Sequence, residues 1–427
     1  MANAFEEIAE ISKKHKKVQT LIHYVNKENL ILEHEEQKEG KAPGIDGITK
    51  EIYGEALEGN IDYLLKSMKQ FSYKPKPVRR TYIPKVGSNK KRPLGIPSYE
   101  DKLVQGVMRK ILDEIYEHQF YDFSYGFRRG KNAHKAIKEI NEHIMTKPIN
   151  YVVDADIKSF FDNVDHDWLM KFLRESIQDK NFLRYIKRFL KSGIIEELRY
   201  YESDKGAPQG GSISPVLANV YLHYVLDIWF EKVVKKHCKG TAEIVRYADD
   251  FTCFFQYETD ANKFYESLKK RLKKFGLELS TDKTKIIEFG RFAKERSKNG
   301  KTETFDFLGF THINGKTRKG AYRLVIRSSE KKLKNKRKVV KKWLRKNMHG
   351  EPAKVIKRLN KKLVGHYAYY GVSGNYKGLV KFYKYVVDTF YKTLRRRSQR
   401  TWLNKRRYQM LLDNFPILKP KIYVNIW

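Results

Sequence analysis

Cysteine is nearly absent: the 427 residues hold two, Cys238 and Cys253. Two thiols cannot build a disulfide framework or a four-thiolate zinc site, which points to a reducing compartment and no structural zinc. Long apolar runs are missing as well. The most weakly charged stretch, 213–230, is broken by Pro215, Asn219, His223 and Asp227 and reads as a buried helix rather than a membrane span. Residues 1–17 are charged throughout without an apolar core, so they are no signal peptide and the expected location is cytoplasmic. Twelve prolines, 26 glycines and 41% hydrophobic residues exclude a disordered tail and favour packed cores. At roughly 150 residues per domain, about three modules are expected. Acid is the last shortage: 50 Asp and Glu stand against 88 Lys and Arg, a net charge of +38. Such a surplus repels itself unless a polyanion neutralises it, so nucleic acid is the leading partner and an anionic membrane surface the second.

Helical and polar spacing over 4–37 ends at Ala42-Pro43-Gly44-Ile45-Asp46-Gly47, which is turn chemistry. Short extended runs at 78–85 and 91–96 around Val86-Gly87-Ser88-Asn89 predict a basic β-hairpin over 78–96. A helix is expected over 101–118 and another from near Asn132. The apolar Tyr151-Val152-Val153 runs as a strand into Asp154-Ala155-Asp156. Ser214 as N-cap and Pro215 at the first helical position open a long helix. Strands at 244–248 and 251–255 flank Asp249-Asp250. From 329 to 391 the pattern is helical, with inner stripes Leu333, Val340, Leu344 and then Phe382, Val386, Phe390. The class is α+β.

The acids at the ends of apolar runs carry the chemistry. Alternation puts Asp154 and Asp156 on one face of their strand, and Asp249 and Asp250 sit at a tight turn. An isolated Asp-Asp pair is usually a solvated hairpin tip, but Tyr247-Ala248 before it and Phe251 after it are apolar. Converging carboxylates repel unless a cation holds them ionised. Two Mg²⁺ ions, with Mn²⁺ as a substitute, would relieve that repulsion and suit in-line phosphoryl transfer.

Arg246-Tyr247-Ala248-Asp249-Asp250 resembles the reverse transcriptase signature. With Ser124-Tyr125-Gly126-Phe127-Arg128, the run from Gly206-Ala207-Pro208-Gln209 to Pro215, and Phe307-Leu308-Gly309-Phe310, the chain resembles the group II intron-encoded reverse transcriptases, or maturases. The resemblance covers about residues 42–370. It implies a right-hand polymerase: fingers over 1–150, palm over 151–315, a helical thumb or maturase region over 316–400, and a short tail over 401–427.

In that family the first motif is Asp, four residues, then an aromatic, which selects Asp156 and Phe161 and leaves Asp154 as a structural neighbour. The implied metal ligands are Asp156, Asp249 and Asp250. Phe161 would stack on the sugar of a deoxynucleotide and exclude a 2′-hydroxyl, with Ile157 and Gln209 also at the nucleotide. Arg80 and Lys85 are favoured over Arg92 for the triphosphate, and Lys283, with Lys285 as rival, for protonating pyrophosphate. Arg128, Pro215, Gly309, Lys338 and Lys342 are expected at the template and primer.

The implied partners are an RNA template, a DNA primer, deoxynucleoside triphosphates and a group II intron RNA, with no membrane and an open oligomeric state. Without a further Cys pair, no endonuclease is expected. A free-standing reverse transcriptase and a non-catalytic RNA-folding splicing factor remain alternatives.

Overall fold

The computed structural model describes residues 4–84, 91–196, 199–202, 205–206, 210–297, 300–397 and 403–427. Lys85, Gln209 and Trp402 lie outside them. The architecture is α+β, and the chain separates into two compact units. The first comprises Met1–Asn132 and Val153–Ile286, the second Ala133–Val152 and Ile287–Trp427. These cuts do not coincide with boundaries at 150 and 315; two of them fall inside strands.

The two expected extended runs pair as strands, while the turn residues between them lie outside the described residues. β1 (Val78–Pro84) and β2 (Lys91–Ile96) pair antiparallel, with Arg80 opposite Gly95 and Ile83 opposite Arg92. β3 (Tyr151–Asp156) takes in both Asp154 and Asp156. The short β4 (Ile194–Glu196) and β5 (Arg199–Tyr201) join the hairpin in a sheet ordered β2-β1-β4-β5.

β6 (Ala242–Tyr247), β7 (Asp250–Phe255) and β8 (Lys285–Glu288) complete a second sheet, β6-β7-β3-β8. One face of it is apolar. Val153, Ala155, Ile244, Phe251 and Cys253 are buried, whereas Asp154, Asp156 and Asp250 alternate with buried neighbours and are half-buried.

The helix behind this sheet begins at Ser214 itself, so Ser214 is not its cap: Ile213 occupies that position, no side chain caps it, and Pro215 sits in the first turn. Ser214–Leu222 is regular α-helix. The same rod then widens into π-turns at His223–Asp227 and Phe230–Val234.

In the second unit, β9 (Thr304–Phe307), β10 (Phe310–Lys316) and β11 (Tyr322–Ser328) form a sheet ordered β11-β10-β9. The two residues between β9 and β10 both have positive φ, Leu308 at 50° and Gly309 at 81°. That is what a two-residue hairpin needs, and the glycine supplies half of it without strain.

Helices Glu330–Lys346, Pro352–Tyr370 and Tyr376–Arg395 pack around Leu333, Val340, Leu344, Leu359, Phe382, Val386 and Phe390. The stripes expected from 3.6-residue spacing are the buried ones. Among the described residues no helix is long and apolar enough to cross a membrane.

Candidate active site

The turn between β6 and β7 consists of Ala248 and Asp249, and Ala248 is held at φ 56°. A non-glycine residue there costs energy that the surroundings must supply. They do so through the loop Ser124–Phe127. The Tyr125 amide donates to the Arg246 carbonyl at 2.8 Å, and the Arg246 amide donates to the Phe123 carbonyl at 2.9 Å. Gly126 has to be glycine, because a Cβ on it would lie 2.3 Å from the Ala248 nitrogen. Two motifs far apart in sequence thus shape one turn.

Beneath the turn, the Arg246 guanidinium is fully buried. It donates from Nε to Asp227 at 2.7 Å, from Nη2 to the same carboxylate, and from Nη1 to Asn219 Oδ1 and the Ala248 carbonyl, both at 3.1 Å. Asn219 in turn donates to the Gly126 carbonyl at 2.7 Å.

Asp249 and Asp156 converge across the sheet. The Asp249 carboxyl is held above its ordinary value, first by burial and then by the negative charge of Asp156, against the pull of its own amide and of the Arg92 and Lys283 cations. Lys283 is ion-paired with Asp156. It lies in the turn Ser280–Thr284, which Ser280 ties to the Asp156 carbonyl at 2.8 Å. Lys285 starts β8 as an exposed residue, so of the two rival lysines Lys283 is the one drawn to the carboxylates.

Asp250 shares a strand face with Tyr247, its register partner. Among the described residues no three acidic, histidine or cysteine side chains gather into one metal-holding cluster; the carboxylates whose charges act on one another are Asp156 and Asp249. The pair nevertheless suits a hard divalent cation. Two carboxylates repelling across a half-buried gap present the oxygen donors that Mg²⁺ prefers, and a cation would relieve the repulsion.

The nucleotide-side residues divide. Phe161 is half-buried on a short 3₁₀ turn, edge to face with Phe160 at 5.3 Å. The start of the glycine-rich run is pinned behind it: a Cβ on Gly206 would lie 2.9 Å from the Phe161 carbonyl, and His166 bonds the Gly206 carbonyl at 2.7 Å. Gly210, at φ 120°, comes against Gly95 of β2, where a Cβ would meet the carbonyl at 2.1 Å. Pro215, half-buried, opens the helix beyond. The Ile157 side chain is in the core, 2% exposed, which leaves only its main chain for a nucleotide.

Arg80 is committed to Glu196 at 3.3 Å, and Tyr82 donates to the same carboxylate. Arg92, which the resemblance ranks lower, is the hairpin cation whose charge acts on Asp249.

Arg128 requires a correction. Its side chain is 5% exposed, forked onto Glu117 and bonded to the carbonyls of Tyr121 at 2.6 Å and Ser124 at 2.8 Å. Its remaining donors go to the main chain of Glu117 and Phe120. No donor is left for a template or primer; Arg128 staples the loop that carries Gly126.

In the second unit Gly309 lies against the Tyr370 hydroxyl, and the Leu308 carbonyl accepts from Tyr369 at 2.8 Å. Lys338 and Lys342 are exposed one helical turn apart on Glu330–Lys346. Sequence reasoning assigned no role to Glu196, Asn219 or Asp227, nor to Arg246 within its motif. The available signal was polar residues at intervals of four, 219, 223 and 227, inside an otherwise apolar helix.

A carboxylate pair on a central strand and a hairpin turn, attended by two cations, is equipped for phosphoryl chemistry. Residues 83–312 match the family model described as reverse transcriptase (RNA-dependent DNA polymerase), more than half of the chain. Group II intron-encoded protein LtrA of Lactococcus lactis subsp. cremoris is 34% identical over 285 residues, 64% of this chain and 46% of that protein. Protein YkfC of Escherichia coli K12 is 31% identical over 332 residues, 70% of this chain and 83% of that one. A 91 kDa protein in the cob intron of Schizosaccharomyces pombe is 35% identical over 226 residues, 53% of this chain and 27% of that one. The chain belongs to the reverse transcriptase family, within its group II intron reverse transcriptase and maturase branch. It spans less than half the length of the Lactococcus protein.

Proposed function

We propose that the chain is an RNA-directed DNA polymerase of the group II intron type, joining deoxynucleotides to a DNA primer on an RNA template. The convergence of Asp156 and Asp249 between Arg92 and Lys283 carries this reading. Fingers, palm and thumb would correspond to 1–150, 151–315 and 316–400, with 401–427 as a tail.

Asp156 and Asp249, with Asp250 as a further donor, would hold divalent Mg²⁺, for which Mn²⁺ could substitute. When bound, the metal supplies charge neutralisation for the attacking 3′-oxygen and the leaving pyrophosphate. The protein's own share is orientation and proton handling. Arg92 neutralises the triphosphate, with Arg80 joining it on release from Glu196. Lys283 has its ammonium beside Asp156, placed to give a proton to pyrophosphate. Phe161 closes the sugar side against a 2′-hydroxyl, and its replacement by alanine is expected to admit ribonucleotides. Gln209, Lys85 and the main chain of Ile157 complete the nucleotide's surroundings. Pro215, Gly309, Lys338 and Lys342 meet template and primer, the lysines through phosphates. A basic helical surface of this kind also suits a group II intron RNA held for splicing, in a reducing, cytoplasmic setting.

The alternative is a splicing factor that binds intron RNA without polymerising, for which the basic helical surface alone would suffice. Primer extension on an RNA template with Mg²⁺ decides between them. Wild type is expected to extend and Asp249→Ala to bind RNA without extending. Absence of any metal-dependent product from wild type would leave the splicing factor.

A further inference from the structure

Arg246 is a puzzle of economy. A guanidinium with no exposed surface is expensive to bury unless it is fully paired, and a well-packed apolar pair can fill the same volume at least as stably. What an apolar pair cannot do is hold a peptide group in a left-handed conformation. Two donors of Arg246 are bound to the Asp227 carboxylate, itself fully buried, and another reaches the Ala248 carbonyl, one residue before Asp249.

The helix behind it is deformed to serve this arrangement. At 3.6 residues per turn, Asn219 and Asp227 would differ in direction by roughly 80°. The π-turn at His223–Asp227, which uses more residues per turn, removes most of that difference, so both side chains reach one guanidinium. Asn219 carries the same constraint to Gly126, against which Ala248 rests.

We propose that Arg246, oriented by Asp227 and Asn219, is a positioning residue for Asp249. By fixing the Ala248 carbonyl it sets the direction from which the Asp249 carboxylate faces Asp156, and with it the geometry of a divalent cation held between them. The inference rests on the polymerase reading for its catalytic consequence, but not for its metal-binding one.

The test uses the full chain with Mn²⁺ as probe, its binding followed by electron paramagnetic resonance titration alongside primer extension and heat unfolding. Arg246→Lys keeps a charge for Asp227 but cannot span Asn219 and Ala248 as well; Asn219→Ala removes one tie only. Both are expected to bind RNA as wild type does and to bind Mn²⁺ about tenfold more weakly. Their kcat should fall roughly 10- to 100-fold, the scale of a misplaced reacting group, with nucleotide KM within about twofold. The paired replacement Arg246→Met with Asp227→Leu separates positioning from packing: it should recover heat stability without recovering Mn²⁺ affinity or kcat.

Wild-type Mn²⁺ affinity in any of the folded variants, recovery of both properties in the paired one, or a wild type that binds no Mn²⁺ would overturn the proposal. Should Arg246→Lys fail to fold, the Mn²⁺ affinity of Asn219→Ala decides. If wild type binds Mn²⁺ but extends no primer, the polymerase reading fails and the Mn²⁺ titration still decides this one.

Discussion

Replacing His366 by phenylalanine should make the second unit more resistant to acid. His366 is 4% exposed, and neither ring nitrogen has a hydrogen-bond partner among the described residues. Phe382 and Tyr370 pack on it at 4.2 and 4.8 Å between ring centres. Burial, helped by the positive charge of Lys336, holds the imidazole down at about 4 from an ordinary 6.5. Because the folded value lies below the unfolded one, the unfolded chain takes the proton first. The neutral ring's contribution is therefore complete above pH 6.5 and drains away as pH falls toward 4.

Between neutrality and about pH 5 that loss comes to about 2 kcal/mol, or roughly 4–8 °C in the unfolding temperature of a unit this size. His366→Phe removes the titration and replaces two unsatisfied nitrogens with carbon in a pocket already lined by rings. Calorimetric unfolding of both proteins at about pH 7.5 and about pH 5 measures the difference. The variant should hold its second-unit transition through the pH step better than wild type by that margin. Equal acid losses in the two proteins would show that the buried imidazole does not govern the unit's acid stability. His312, in the same unit and also held down at about 4 by burial, keeps part of the acid sensitivity in the variant, while His223, likewise held down, belongs to the first unit.

Because Arg80 is engaged by Glu196 while the charge of Arg92 reaches Asp249, steady-state primer extension should show a larger rise in nucleotide KM for Arg92→Ala than for Arg80→Ala; the reverse order would restore Arg80 as the principal triphosphate contact. Arg128→Ala leaves the partly exposed Glu117 and several loop carbonyls without their donor, and urea unfolding should register a loss of about 1–3 kcal/mol. RNA affinity of the folded fraction should be unchanged, and a fall in affinity without a fall in stability would return Arg128 to the template. Neutralising Lys338 or Lys342 should each lower the slope of log affinity against log salt by about one in RNA titrations, and an unaltered slope would place that lysine away from the phosphates.

What could be read from the sequence was local. Leu333, Val340 and Leu344 declare their helix because a buried stripe repeats every 3.6 residues, and the hairpin at 78–96 declares itself by turn residues between extended runs. Asp156 and Asp249 stood out because acids at the ends of apolar strands need a reason to be there. Resemblance to a family then separated Asp156 from Asp154, which alternation alone could not do. The partners of these residues were hidden because pairing across the fold leaves no local trace. Nothing near Arg80 announces Glu196, and nothing near Arg128 says that Glu117 and four carbonyls will absorb its donors. Asn219, His223 and Asp227 were visible as breaks in an apolar stretch. Their service to Arg246 depends on a π-turn that no periodicity of 3.6 anticipates. Ser214 looked like a cap because caps are usually serine, yet the helix simply begins there.

The make-up of the second unit has a consequence in time. Its helix Ala133–Thr146 belongs with strands and helices that start only at Ile287: Asn141 donates to the Ile426 carbonyl at 3.2 Å, and the Leu324 amide points to the Met145 sulfur at 3.4 Å. On a ribosome moving about 5–20 residues per second, the helix emerges and then waits roughly ten seconds to a minute for these partners. Throughout that interval Ala136, Ile137, Ile140 and Ile144, all buried at the end, have no surface from their own unit to cover them. The unit closes fully only when Val424 and Ile426 reach Ser373 and Asn141.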